Sequence, residues 1–185
     1  MINFIFTVTA GRSGQSTLHN ILIKHANDCL SEFESPSFTS RYGGFLGVIE
    51  RKIRRKFFET DELLGRGKIL QAYRKSDYVY IEKIVEKKLE MIMHKIKAKK
   101  VNTYFDISKF YARGLHVGFN TILESFSVIL LVRDPLINMR SFLNRNKNFF
   151  LDNDHPNSEN NLLKLNTSKL SKGELYLWAW SEMVL

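Results

Sequence analysis

Arg12 lies between two glycines in Ala10-Gly11-Arg12-Ser13-Gly14-Gln15-Ser16-Thr17, a stretch whose residue types suit the gripping of a phosphate or sulfate. Before it runs an apolar segment, Ile2 to Phe6, with strand character. After it comes an amphipathic segment, Ser16 to Ala26, that predicts a helix. A strand, a glycine loop and a helix together cradle anions. Glycine lets the backbone approach the ligand, and the helix N-terminus aims unpaired N–H groups at it. The stretch is not the G-x-x-x-x-G-K-[ST] loop of ATPases and GTPases. Aligned on Gly14, Thr9 falls at the first glycine and Gln15 at the lysine, while Ser16 keeps the hydroxyl. Without that lysine, γ-phosphate transfer is disfavoured. Arg12 offers a fork of donors instead. The competing reading is an ordinary strand-to-helix turn of a parallel fold.

A second segment, Val128 to Ser141, adds a guanidinium and a hydroxyl. Its apolar run suits a central parallel strand ending near Arg133. Pro135 sits where a helix begins, and Ser141 lies two turns along it. Arg133 and Ser141 would then share the C-terminal edge of the sheet, where open α/β folds bind ligands. A salt bridge to Asp134 is the plainer role for Arg133.

Holding these groups requires elements that the sequence marks out. Strands are expected at Asn3–Thr9, Cys29–Phe33, Val101–Asp106 and Ser127–Val132. Pro36, Gly43, Gly44 and Gly47 make Ser35–Gly47 a loop, and Val48–Phe58 reads as a basic helix. Gly65 and Gly67 break the chain again. Ile81, Ile84, Val85, Leu89, Ile92, Met93 and Ile96 recur at helical spacing, so Asp77–Lys99 is a long helix. Lys109–Leu123 reads as helical. Asn144–Thr167 is rich in Asn, Asp and Ser and reads as a mobile loop. Ser171 with Glu174 forms a capping box for a last helix to Val184. Strands alternating with helices predict an α/β fold, a central parallel sheet flanked by helices in three layers.

Composition bounds the function classes. The chain has 185 residues, enough for one domain with a sizeable core. No apolar run approaches the roughly 20 residues of a membrane span, and no basic region precedes the first apolar run. The single cysteine, Cys29, excludes an intrachain disulfide and reads as a small buried hydrophobe. These features favour the cytoplasm. The formal charge of +9 points to an anionic ligand or surface. Arg51 to Lys56 is one basic cluster. Lys83 to Lys100 is another, and Glu82, Glu86 and Glu90 interrupt it as in a solvated helix face with i,i+4 pairs. No aromatic interleaving marks either as a nucleic-acid surface. The histidines follow no metal-ligand spacing, so no metal is expected.

The two phosphate segments together resemble the sulfotransferase family that uses 3′-phosphoadenosine-5′-phosphosulfate (PAPS). Arg12-Ser13-Gly14-Gln15-Ser16-Thr17 resembles the family's loop for the 5′-phosphosulfate, with Gln15 replacing the usual threonine or serine. Arg133-Asp134-Pro135 with Ser141 matches its Arg-Asp-Pro element and the serine eight residues after the arginine. Asp106-Ile107-Ser108-Lys109 and Trp178 are fainter echoes of bacterial and carbohydrate members. The resemblance implies a P-loop NTPase-like fold, PAPS as co-substrate, and a 3′-phosphate held by Arg133 and Ser141. It implies sulfuryl transfer to a hydroxyl or amine of an unidentified acceptor, with a sugar, lipid or small alcohol favoured. Gly11, Arg12, Ser13, Gly14, Gln15, Ser16 and Thr17 would surround the 5′ end, and Lys109 is the second cation. Family members run past the Trp178 helix into a strand and a basic segment. This sequence ends at Leu185, so a single domain over 1–185 short of that portion is expected. Glu34, before Ser35-Pro36, resembles the acidic residue of some bacterial sugar sulfotransferases and is the first choice of base. Asp106, Glu32 and His116 are the others. A P-loop nucleotide kinase-like enzyme, and a non-catalytic module that binds anions or nucleic acid, are the alternative readings.

Overall fold

A computed structural model describes residues 2–36, 44–144 and 161–185, together with the backbone but not the side chains of residues 51, 55 and 56. Strand β1 (Asn3–Val8) leads to helix α1 (Gln15–His25) and strand β2 (Cys29–Phe33). Helices α2 (Gly44–Phe57), α3 (Thr60–Leu64), α4 (Lys68–Arg74) and α5 (Tyr78–Lys99) follow. Strand β3 (Thr103–Ile107), a 3₁₀ turn (Tyr111–Arg113), helix α6 (Leu115–Ile122) and strand β4 (Ser127–Leu130) come next. Helix α7 (Pro135–Leu143), a second 3₁₀ turn (Thr167–Lys169) and helix α8 (Lys172–Val184) complete the described chain.

The four strands form one sheet in the order β2-β3-β1-β4, and every pairing is parallel. Parallel strands need crossovers, and helices on the sheet faces supply them. The register sets Leu30, Tyr104 and Phe4 in one row and Glu32, Asp106 and Phe6 in the next. Phe4, Phe6 and Tyr104 join Ile81, Ile84, Val85 and Ile92 of α5 and Phe119 of α6 in the main core. Phe6 stacks on Tyr111, with ring centroids 4.6 Å apart. The opposite face receives α1, where His19 Nδ1 lies 2.8 Å from Ser31 Oγ. Among the described residues no helix is long and apolar enough to cross a membrane.

Several expectations hold closely. Helix α5 starts after Asp77, whose side chain accepts from Tyr80 N. Both bonds of the Ser171–Glu174 capping box are present, and Glu174 is correspondingly held below its ordinary acidity range by Ser171. Others need correction. Helix α2 begins at Gly44, inside the stretch read as a loop; the rest of that loop, 37–43, lies outside the described residues. The Lys109–Leu123 helix is broken at Gly114, whose φ of 134° no helix accommodates. Most of the Asn144–Thr167 loop also lies outside the described residues.

Strand β4 is an edge strand of the described sheet, not a central one, and Val128 and Leu130 are about half exposed. Continuous apolarity reports on a strand's two faces and says nothing about its two edges. Cys29 lies half-buried in β2, and burial, with Asp28 beside it, raises its thiol pKa.

The basic face of α5 is solvated at Lys83, Glu86, Lys87, Glu90, Lys97 and Lys99, and at Lys100 just past its end, as expected, but not at Lys88 and Lys95. Lys88 is fully buried and its Nζ lies 2.7 Å from Asp106 Oδ2. Lys95 Nζ lies 2.6 Å from Glu32 Oε1, and Lys87 pairs with Glu59. Lys88 and Lys95 are two helical turns apart and meet neighbouring carboxylates of one sheet row. Tyr104 donates to Glu32 Oε2 at 3.1 Å, and burial, with Asp106 and Glu32 nearby, pushes its phenol pKa far up.

Candidate anion-binding site

Because all four strands run the same way, their C-terminal ends meet along one edge, and a cavity of about 420 Å³ opens there. Each strand contributes to its wall. After β1 come Ala10, Gly11, Arg12 and Gly14 to Thr17. Phe33 ends β2 and Glu34 follows it, Lys109 follows β3, Arg133 follows β4, and Phe142 of α7 completes the wall. The size is that of a site for a ligand of nucleotide dimensions. Three cations, Arg12, Lys109 and Arg133, face one carboxylate, Glu34, so the cavity favours an anion.

The loop after β1 is shaped from beneath by buried hydroxyls. Thr9 Oγ1 accepts from Gly11 N at 3.1 Å, and Thr7 Oγ1 accepts from Ser108 N at 3.0 Å. Gly11 and Gly14 have φ of 82° and 94°, in the left-handed region where a side chain is strained. A Cβ on Gly11 would also stand 3.1 Å from Lys109 Cδ, so glycine lets that lysine lie across the loop. No side chain caps the first turn of α1, and no acid occupies it. The turn's N–H groups and the positive end of the helix are therefore left to suit an anion in the cavity. Gln15 is buried, lines the same cavity, and has an amide nitrogen without a hydrogen-bond acceptor among the described residues. An anion at the helix terminus would supply that acceptor.

The two segments expected to act together do meet. Arg12 Nε donates to Ser141 Oγ at 3.3 Å, and Arg133 Nη1 donates to the Arg12 carbonyl at 3.1 Å. Asp134 is occupied as the N-cap of α7, accepting from Ile137 N at 2.8 Å. Ser16 and Thr17 line the cavity. Ser13 turns inward, donating to the Gly11 carbonyl at 3.1 Å, and Ser141 meets Arg12 outside the cavity lining.

The four base candidates separate. Glu34 lines the cavity. Asp106 is 1% exposed, outside the lining, and committed to Lys88. That contact is a charge pair without hydrogen-bond alignment, and Asp106 Oδ1 has no donor among the described residues. Glu32 is held by Lys95 and Tyr104. His116 packs beside Tyr73 and Tyr111 away from the cavity, and burial lowers its pKa. The geometry thus brings Arg12, Lys109, Arg133 and Glu34 together and leaves Asp106, Glu32 and His116 outside.

Sequence reasoning missed Asn138. It is fully buried in α7, and its Nδ2 donates to the Gly11 carbonyl at 3.0 Å and to Ser13 Oγ at 3.1 Å. Its Oδ1 accepts from the hydroxyl of Tyr176 in α8. The available signal was spacing: Asn138 and Ser141 are three apart, one polar stripe on a helix whose other residues, Arg140 excepted, are apolar.

The fold and the cavity define a parallel α/β protein with a cationic cleft at the carboxyl edge of its sheet. Compared with family models, curated proteins and solved structures, the chain matches none significantly.

Proposed function

We propose that the chain is a PAPS-dependent sulfotransferase of P-loop NTPase-like fold. The observation that carries this reading is the contact between its two anion-binding segments. Arg133 and Ser141, from the strand and helix of one, both bond to Arg12, at the centre of the other. A nucleotide phosphorylated at both the 5′ and 3′ positions requires two such segments side by side. The cleft also fits the group chemically, with three cations, an uncapped helix start and the unsatisfied Gln15 amide around it.

PAPS supplies an activated sulfuryl group, whose sulfur–oxygen bond to the 5′-phosphate breaks as the acceptor oxygen or nitrogen bonds to sulfur. The chain's own residues position and neutralise. Arg12 and Lys109 offset the charge that grows on the departing phosphate, with the N–H groups at the start of α1 and the Ser16 and Thr17 hydroxyls. Arg133 holds the 3′-phosphate, and Ser141, outside the lining, supports it through its bond with Arg12. Glu34 takes the proton released by the acceptor. Phe33 and Phe142 add apolar surface to the cavity wall, against which an acceptor would pack in this reading.

Calorimetric titration with adenosine 3′,5′-bisphosphate, beside ATP and AMP, tests the reading. Binding should require the 3′-phosphate, and Arg133→Ala should weaken it by about 3 kcal/mol, the loss typical of a charged partner left unpaired. Equal affinity for AMP and the bisphosphate would overturn the assignment of Arg133. A preference for ATP would favour the kinase-like alternative.

A further inference from the structure

Helix α2 is turned inside out relative to an ordinary surface helix. Gly47 is buried, and Glu50 and Arg54, three and seven residues on, are half-buried on the same side. The apolar residues point the other way. Phe45 is 78% exposed, Leu46 60% and Ile53 49%, with Ile49 between them on that face. A helix that packs only to stabilise a fold directs its apolar stripe at the core. This one keeps its small and polar side toward the protein and offers hydrophobic surface to the surroundings.

Charge narrows the identity of whatever covers that surface. Within Gly44–Phe57 the sequence carries Arg51, Lys52, Arg54, Arg55 and Lys56 against one acid, Glu50. A second copy of the chain would set this basic helix against its own like charge, which disfavours self-association. An anionic bilayer satisfies both halves. Acyl chains take the apolar face, and headgroups attract a helix of this net positive charge, with Lys52 the described cation at that face. Lys52 is exposed beside the apolar residues, where its stem can lie along hydrocarbon while its ammonium reaches the headgroups.

We infer that α2 is an interfacial anchor that binds the protein to the surface of membranes rich in anionic lipid. The site is separate from the cleft and independent of the chemistry proposed there.

Sedimentation with vesicles tests it, using phosphatidylcholine alone and phosphatidylcholine with about 30% phosphatidylserine, an anionic fraction sufficient to attract polybasic segments. The intact chain should pellet with the anionic vesicles, less with neutral ones, and lose binding as salt rises to roughly 0.5 M. Phe45→Ser and Ile53→Ser should each lower partitioning about tenfold, and Lys52→Glu should lower it on anionic vesicles alone. All three positions are exposed, so circular dichroism and bisphosphate affinity should stay unchanged and separate lost anchoring from lost folding. No binding to anionic vesicles at low salt would overturn the inference. So would a stable dimer in solution that Phe45→Ser dissolves, because the apolar face would then belong to a second copy.

Discussion

Glu34 and Arg12 share an unusual feature. Both line the cleft, and both hold positive φ, 47° and 59°, without being glycine. Such a conformation costs on the order of 1–3 kcal/mol and persists where the surroundings enforce it. At Arg12 the enforcing contacts are visible, since Arg133 holds its carbonyl and Ser141 its guanidinium. If Glu34 is the base, Glu34→Gln should lower kcat roughly 10²–10⁴-fold and leave bisphosphate affinity intact, because the amide keeps the shape and loses the proton acceptor. Retained turnover in a sulfuryl-transfer assay would remove Glu34 from the mechanism. At this scale the sequence was informative about residue type and silent about direction. Arg12 could be picked out by its place between two glycines and Arg133 by its place after an apolar strand, whereas Lys109 and Glu34 were reached through the resemblance. Asp106 was a candidate as well, yet it lies within β3 with its side chain toward α5, and only the register of the strand decides that.

At the scale of elements, α5 is aligned on the sheet by charge as well as by its isoleucines. Lys88 and Lys95 meet Asp106 and Glu32, neighbours in one row, so sliding or rotating the helix would break two ion pairs together. The buried pair needs both members. Lys88→Met should cost about 3–5 kcal/mol in urea unfolding, since Asp106 would be left charged and alone, and adding Asp106→Leu should restore most of it. If Glu34 rather than Asp106 is the base, that double variant also keeps its turnover. Helix α5 itself was legible from its spacing, but the fate of its lysines was not. A lysine on a helix with nearby glutamates suggests local pairing, and the competing partner lay on a strand 18 positions further on. For the same reason β4 read as central: its apolar residues predict covered faces, and strand order is a property of several segments at once.

The whole molecule is tied together at the cleft. Asn138 joins the loop after β1 to α7, and Tyr176 joins α7 to α8, so residues from both ends of the chain hold one glycine loop. Ligand binding and global stability should therefore be linked through Asn138. At a bisphosphate concentration about 100 times its Kd, the intact protein should gain about 2.7 kcal/mol and melt correspondingly higher. Asn138→Ala should weaken affinity about tenfold and shrink the thermal shift measured at the same concentration, although Asn138 is not among the residues lining the cavity. A shift equal to that of the unmodified chain would mean the loop keeps its shape without it.

The same bond from Tyr176 to Asn138 sets an order of events during synthesis. The glycine loop is made well before the groups that fix it, Asn138 and then Tyr176, which follow more than a hundred residues later. At ordinary elongation rates of about 5–20 residues per second, the loop waits many seconds beside a nascent sheet before its supports arrive. The loop at the cleft thus receives its full support only once Tyr176 of α8 has been made.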